Sequence, residues 1–403
     1  MTKAKKTIHI IGAGPEQTNA IKFAKSLGCK VITTDYDPKA AGFKYADQYK
    51  VISTADLKAN LKFAKIHKAQ AVVAVVSEAG VPTAAYIAEK MGLPGLSVKT
   101  ARFATDKNAM KKRLEECGVS VPRSMPVKTV RDLEKFSKTQ PFPIILKPAI
   151  SSAQRGITVL KSRRQFEKAL KKAKKFSADG IAIAEEFMTG REINVQAYVD
   201  KGRFELLCVS DRVTRPESNF ITTQQVAPPD VSKEKIKEVV EIAEKATRVI
   251  GIKDGISFPQ IIYGKDGPKI MEIAARVPGG GLWEIAYYVS GIRQIEVAVL
   301  KALGINKKRS ELEAIKKYPA AVTQLLTKIE FSSLKNRVKN ISGLDRARRM
   351  PGVKVCYSLI GKGDKVPPMT SGAARFGMIT AVGRSRNEAH RRALAALKKI
   401  KIS

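Results

Sequence analysis

The first hundred residues alternate short runs rich in Ile and Val with longer stretches whose apolar positions recur every three or four residues. The short runs predict strands at Ile8–Ile11, Lys30–Thr34 and Ala71–Val76, and the longer ones predict helices at Gln17–Leu27, Leu57–His67 and Pro82–Met91. Strand and helix in strict alternation is the rhythm of a doubly wound parallel sheet, a Rossmann-like unit. The turn Gly92-Leu93-Pro94-Gly95 closes this unit, and a new helix starts at Asp106, whose side chain can cap it, so a boundary falls near residue 104.

Beyond that boundary the pattern is mixed. Strands are predicted at Ile144–Lys147, Ile157–Leu160, Ile193–Val199, Phe204–Val209, Ile256–Ile262 and Pro268–Ile273, with helices at Arg163–Phe176 and Lys233–Ile250, which reads as an α+β unit over residues 105–305. A lysine-rich helical link, Val297–Lys317, leads into a smaller α+β unit over residues 306–403. There Ala321–Ile329, Val353–Leu359 and Phe376–Val382 read as strands and Arg386–Ile400 as a basic amphipathic helix. No internal repeat is evident.

Composition narrows the class without naming it. A chain of 403 residues, 44% apolar and 28% charged, is a soluble globular composition with two or three domains. The basic start Met1–Lys6 runs straight into a strand, with no signal-peptide core and no membrane-spanning run, so a cytoplasmic protein without membrane partners is expected. Four separated cysteines and three histidines speak against a disulfide framework, a zinc site or a histidine triad. The net charge of +37 attracts anions of every size, but the lysines fall along helix faces and no aromatic-interleaved nucleic-acid motif appears. A nucleic-acid partner is therefore disfavoured rather than excluded.

One glycine loop tempts a different reading. Gly12-Ala13-Gly14-Pro15-Glu16-Gln17 follows the first strand, with Asp35 ending the second, which is nearly a dinucleotide fingerprint and motivates an NAD-dependent oxidoreductase as an alternative. The third glycine is Gln17, however, and Pro15 removes an N–H from the turn, so a Rossmann-like domain binding no dinucleotide is preferred.

The stronger chemistry is spread between residues 106 and 281. Lys147 ends a buried strand, Pro143 to Pro148, beside the small loop Ser151-Ser152-Ala153-Gln154-Arg155-Gly156. A cation and open backbone N–H groups there suit phosphate oxygens, with Lys107 as a second cation, although Lys147 alone reads equally as a solvated lysine. Glu185-Glu186-Phe187-Met188 ends another strand in a hinge whose backbone can pair with an adenine edge, with Glu192 in reach of ribose; an acidic surface pair is the alternative. Gln260 and Glu272 sit on neighbouring strands as oxygen donors suited to Mg²⁺ or Mn²⁺. Arg276, ahead of Gly279-Gly280-Gly281, suits a carboxylate, a moving phosphoryl group or an oxyanion, unless it is a structural salt bridge. Glu78, at the carboxyl end of the third strand, reads as an amine-substrate contact or a helix N-cap, and Arg212, Arg215 and Gln224-Gln225 as a carboxylate pocket.

These segments resemble the ATP-grasp enzymes, in particular the three-domain group containing biotin carboxylase, carbamoyl-phosphate synthetase, the purine-pathway ligases and L-amino-acid ligases. The likeness rests on "GLPG", "DKNAMKK", "ILKP", "AEEFMTGREINV", "MEIAARVPGGG" and the stretch Arg375 to Gly383, and covers most of the chain. It implies a pre-ATP-grasp domain over residues 1–104, an ATP-grasp domain over 105–305 and a C-terminal domain over 306–403 resembling that of biotin carboxylase. It further implies Lys107, Lys147, Ser152 and Gly156 at the ATP phosphates and Glu185 at the adenine amino group. The Glu186 and Met188 backbones would meet the purine edge, Glu192 the ribose, Gln260 and Glu272 the metal. Arg276, with Glu78, Arg212 and Gly280, would hold substrate and the acyl phosphate. Family members usually carry glutamate at position 260 and asparagine at 274, where this chain has Gln260 and Ala274, and their loop is richer in glycine than Ser151-Ser152-Ala153.

The function expected is an ATP- and Mg²⁺-dependent carboxylate–amine ligase, ADP-forming and acting on small molecules, as a homodimer. Alternatives are a biotin-carboxylase-like or carbamoyl-phosphate-synthetase-like enzyme, for which Thr223-Gln224-Gln225-Val226 lacks the basic residue expected in biotin carboxylase, and an inactive scaffold that binds nucleic acid.

Overall fold

The structure is a computed structural model that describes residues 6–215, 220–331 and 333–403. The basic start, apart from Lys6, lies outside the described residues.

The first unit is a parallel sheet in the order Gln48–Val51, Lys30–Asp35, Thr7–Ile11, Ala71–Ala74. Alternation along Thr7–Ile11 sends Ile8 and Ile10 into a cluster with Ala20, Ile21 and Ala24 of helix Thr18–Ser26. Ile11 goes to the opposite face, with Phe63 and Ile87 of helices Leu57–Ile66 and Gly80–Met91. Gln48–Val51, missing from the sequence expectation, is a four-residue edge strand exposed at every position, Tyr49 and Val51 included.

His9, on the Phe63 side, is fully buried with its ring 5.5 Å from that of Phe63 and its Nε2 3.2 Å from Thr34 Oγ1. Burial foremost, and then the charge of His67, push its pKa down to about 3. Between pH 6.5 and that value the unfolded chain holds a proton that the folded chain refuses, so stability falls as the pH drops through this window. The expected contribution is a loss of about 2 kcal/mol between pH 7 and pH 5. Urea unfolding of His9→Leu at the two pH values should show a correspondingly shallower loss than the parent; equal losses would contradict the assignment.

The second layer is an antiparallel sheet ordered Ser124–Val127, Ala182–Glu186, Ile144–Pro148, Thr158–Leu160. Helices Val130–Thr139 and Phe166–Phe176 cover it through Leu133, Phe136, Phe166 and Leu170. The five lysines of Phe166–Phe176 are all exposed, as a solvated face requires.

The third layer is an eight-stranded antiparallel sheet: Gly267–Ala274, Gly255–Gly264, Arg191–Asp200, Arg203–Arg215, Ile221–Ala227, Ala320–Leu326, Gly377–Gly383, Val353–Ser358. Helix Lys233–Ile250, capped by Ser232 and stopped by left-handed Gly251, lies against its first two strands. Strands from both sides of residue 306 pair within this sheet, because Ile221–Ala227 hydrogen-bonds directly to Ala320–Leu326. The expected helical link Val297–Lys317 is not one helix. Helix Gln294–Ala302 stops before left-handed Gly304, and a single turn, Arg309–Leu312, follows, with Arg309 paired to Glu205 at 3.0 Å. Among the described residues no helix is long and apolar enough to cross a membrane.

Candidate active site

A cavity of about 470 Å³ opens between the second and third sheets. Its floor is the wide sheet, with Glu192, Asn194, Gln260, Met271 and Glu272, and its roof is Ile145, Lys147 and loop 151–155. Glu16 and Glu78 come from the first unit, Arg276 and Gly280 follow the last floor strand, and Arg375 arrives from the C-terminal segment.

The sequence-expected residues Glu78, Lys107, Lys147, Ser152, Glu186, Met188, Glu192, Arg212, Gln260, Glu272, Arg276 and Gly280 all line this cavity. Glu185 and Gly156 do not. Glu185 is fully buried behind Lys147, whose Nζ lies 2.7 Å from its Oε2, while Lys111 Nζ lies 3.5 Å from its Oε1. Its carboxylate thus stays outside the cavity lining, clamped between two ammonium groups. Gly156 is a packing glycine: with φ of +76°, a methyl group there would stand 2.8 Å from Pro148 Cγ. Loop 151–155 is held at its tip, where Gly372 N donates to Ala153 O at 2.8 Å and Gln154 Nε2 to Phe220 O at 2.6 Å.

The lysines explain one another. Asp106 caps helix Lys107–Glu116, and the i, i+4 spacing of Lys107 and Lys111 places both on its buried face. Lys107 Nζ reaches Glu272 Oε1 at 3.1 Å and Ser151 O at 3.0 Å. Burial opposes its charge, but the Glu272 and Glu78 carboxylates outweigh that and hold its pKa above the ordinary lysine value. Lys111 is pushed down to about 8 by burial, which Glu185 only partly offsets. For Glu185 and Glu272 burial is likewise the largest influence, yet the neighbouring lysines overcome it and both carboxyls are held low.

Gln260 and Glu272 stand directly opposite each other across paired strands, and Asn194 stands opposite Gln260 on the next strand, so three oxygen-bearing side chains form a row on the floor. Asn194 is 1% exposed, donates to Gln225 Oε1 at 3.0 Å, and leaves its Oδ1 without a hydrogen-bond partner. Gln260 Oε1 accepts from Arg212, itself 3.2 Å from Glu192. Ala274, 1% exposed, offers no donor.

Arg276 is paired with Glu78, its Nε and Nη2 both 2.7 Å from Glu78 Oε2. Glu78 is therefore not a helix N-cap; the first N–H of helix Gly80–Met91 is donated to Ser77 Oγ at 3.2 Å. Of the expected carboxylate pocket, Arg212 and Gln225 line the cavity, whereas Gln224, one residue out of phase on its strand, turns to Gln324 at 2.7 Å. Arg215 lies outside the lining.

The glycine turn of the first unit is filled by the protein itself. Gln17 crosses to Val75 O at 2.8 Å, its side chain 2.9 Å from where a methyl on Gly14 would be, and Asp35 accepts from Ala13 N at 2.8 Å. The groups a dinucleotide would need are spent on the loop.

Sequence reasoning passed over Lys111, Asn194, Glu16 and Arg375. Lys111 was legible in the i, i+4 spacing, and Asn194 in its place two residues after Glu192 on the same strand face. No local signal marks Glu16 or Arg375 as cavity residues, since each is brought there by long-range packing.

Residues 140–283 match the ATP-grasp domain family and residues 335–403 the family described as L-amino acid ligase C-terminal domain 2. The chain is 25% identical over 235 residues to alanine–anticapsin ligase of Bacillus subtilis (strain 168), a match covering 53% of this chain and 49% of that one, about half of the relative's length. The fold superimposes on L-amino acid ligase from Bacillus licheniformis with a TM-score of 0.83 at 21% identity, covering 100% and 99% of the two chains. It superimposes on the biotin carboxylase domain of Hydrogenobacter thermophilus 2-oxoglutarate carboxylase, solved with MgADP, ADP and bicarbonate, with a TM-score of 0.78 at 17% identity over 99% and 90%. With a cavity of this composition between the second and third sheets, the chain carries an ATP-grasp domain matched over residues 140–283 and a C-terminal domain of the L-amino acid ligase type matched over residues 335–403.

Proposed function

We propose that the protein is an ADP-forming ligase that phosphorylates a carboxylate with ATP and passes the acyl group to an amine. The observation that carries this reading is the convergence of Lys107, Lys147, Glu272 and Arg276 on one cavity beneath a backbone-rich loop. In this reading residues 1–104, 105–305 and 306–403 are three domains that each supply a wall of the site.

Lys147 and Lys107 hold the phosphates together with Ser152 and the loop N–H groups, and Glu185 acts through Lys147 by fixing its ammonium. The Glu186 to Met188 backbone faces the purine edge and Glu192 the ribose. Gln260 and Glu272 would hold a Mg²⁺ or Mn²⁺ ion, one carboxylate and one amide oxygen standing directly opposite each other on paired strands as hard oxygen donors. Such an ion would supply charge neutralisation at the phosphates. Glu78 orients the Arg276 fork toward the oxyanion that forms when the acyl phosphate is attacked.

Purified protein with ATP, Mg²⁺ and pools of amino acids and small carboxylates should release phosphate only when a pool is present. Glu272→Ala should lower that rate by at least about a hundredfold. Release independent of the pools, or unchanged in Glu272→Ala, would remove the ligase reading.

A further inference from the structure

A second cavity, of about 430 Å³, lies between the first unit and the wide sheet, and the ligase reading makes no use of it. Its walls are built from small side chains. Helix Gly80–Met91 contributes Ala84 and Ala85, helix Gln294–Ala302 contributes Ala298 and Ala302, and Ala275 follows strand Gly267–Ala274. Protein interiors ordinarily fill such a space with longer side chains, and alanines on three converging elements leave it open. Its volume falls within the range of small-molecule sites, about 300–1,000 Å³.

The charges along its lining are not equally committed. Arg276 lines this cavity as well as the first and is paired with Glu78 at 2.7 Å. Lys301 is paired with Asp200 and, at 3.1 Å, with Asp254, and it donates to Asn306 Oδ1 at 2.9 Å. Lys201 stands exposed on the rim. Its backbone N–H donates to Asp254 Oδ1 at 3.1 Å, while its ammonium, a minor influence on Asp200, makes no ion pair among the described residues. An apolar interior with one uncommitted cation at its mouth, in a chain of net charge +37, selects an anion that carries an apolar body.

We propose that this cavity is a second ligand site, which takes a small apolar carboxylate with its hydrocarbon body among the alanines and its carboxylate on the Lys201 ammonium. The site stands whether or not the ligase reading does. One wall comes from the first unit and the other from residues 275–277 and helix Gln294–Ala302, so an occupant bridges the two units. It also touches Arg276, the residue that lines both cavities.

The test is isothermal titration calorimetry of the full chain, without ATP, using phenylacetate, 3-phenylpropanoate, hexanoate and 4-methylpentanoate, each beside its uncharged amide. At least one carboxylate should bind with a Kd of about 1 mM or tighter, and about fivefold more tightly than its amide. Ala84→Leu and Ala298→Leu each place a larger side chain in the space and should weaken binding by at least about tenfold, circular dichroism showing that each variant is folded. Lys201→Ala, an exposed position that carries the test even if a leucine variant fails to fold, should bring acid and amide to within about twofold of each other. Lys147→Met, in the first cavity, should leave the Kd within about twofold of the parent. No binding of any of these carboxylates at about 10 mM would overturn the proposal. Binding that survives in the folded leucine variants, or that is lost in Lys147→Met, would overturn it equally by placing the ligand in the first cavity. An acid no better than its amide in the parent, or a preference unchanged in Lys201→Ala, would overturn the assignment of the carboxylate to Lys201.

Discussion

Lys147→Met is expected to lower ATP- and carboxylate-dependent phosphate release by roughly a thousandfold. The methionine keeps the apolar stem packed at the end of Ile144–Pro148 and removes only the ammonium group, which lies 2.7 Å from Glu185 and lines the cavity roof. Negative charge spreading over a transferring phosphoryl group has to be met by preorganised cations, and a lysine already fixed by a buried carboxylate pays no reorganisation at that moment. Steady-state kinetics with saturating ATP measure the effect directly. Lys168→Met, an exposed position on helix Phe166–Phe176, serves as the comparison and should leave the rate as it is. A Lys147→Met rate within tenfold of the parent would show that the phosphates lie elsewhere.

The second large effect is on stability. Glu185→Leu leaves the Lys147 and Lys111 ammonium groups facing an apolar side chain, both lysines being nearly or fully buried themselves. Breaking a buried ionic cluster by removing its shared anion costs about 3–5 kcal/mol, far more than any surface pair in this protein would. The loss should depend on pH in a defined direction. Lys111 already sits near pH 8, because burial disfavours its charge, and without Glu185 it loses its proton more readily still. Raising the pH from 7 to 9 therefore discharges the orphaned lysine, and Glu185→Leu should be less destabilised relative to the parent at pH 9 than at pH 7. Denaturant unfolding at both values reads this out. A variant as stable as the parent at pH 7 would mean that Glu185 is not the anchor of the cluster.

Where one stretch of chain carried its own pattern, the sequence could be read well. The alternation at Ile8 to Ile11, the apolar face of Lys233–Ile250 and the Asp106 cap all act locally, and the elements they specify form within a few residues of the expected bounds. Where the pattern depended on partners elsewhere, the reading stopped short. Gln48–Val51 forms as a strand along the open edge of Lys30–Asp35, and its alternation spans only four residues that all stay exposed, too little to mark it on its own. The helical link failed because lysine-rich composition is compatible with helix but Gly304 ends one, a local signal that was outweighed.

The site divides along the same line. Lys147 sits at a strand end, Arg276 lies just ahead of a glycine run, and Gln260 and Glu272 are polar residues set inside two neighbouring apolar strands, so each stands out from a few neighbouring residues. Glu185 was recognised as important, but its direction was not, since one-residue alternation along Ala182–Glu186 decides whether a carboxylate faces the cavity or the lysines behind it. Glu78 and Arg276 are 198 residues apart, and Glu16 and Trp283 are 267 apart, so their pairing exists only after the units have packed together.

The central claim is that a carboxylate oxygen is phosphorylated before the new bond forms. The direct measurement is to supply a donor with both carboxylate oxygens as ¹⁸O, run the ligation with ATP and Mg²⁺, and analyse the released phosphate by mass spectrometry. The account predicts one ¹⁸O atom in each phosphate, carried over when the acyl phosphate's C–O bond breaks. Phosphate carrying no ¹⁸O from the donor would contradict it, because the cavity would then be splitting ATP without ever joining phosphate to the carboxylate.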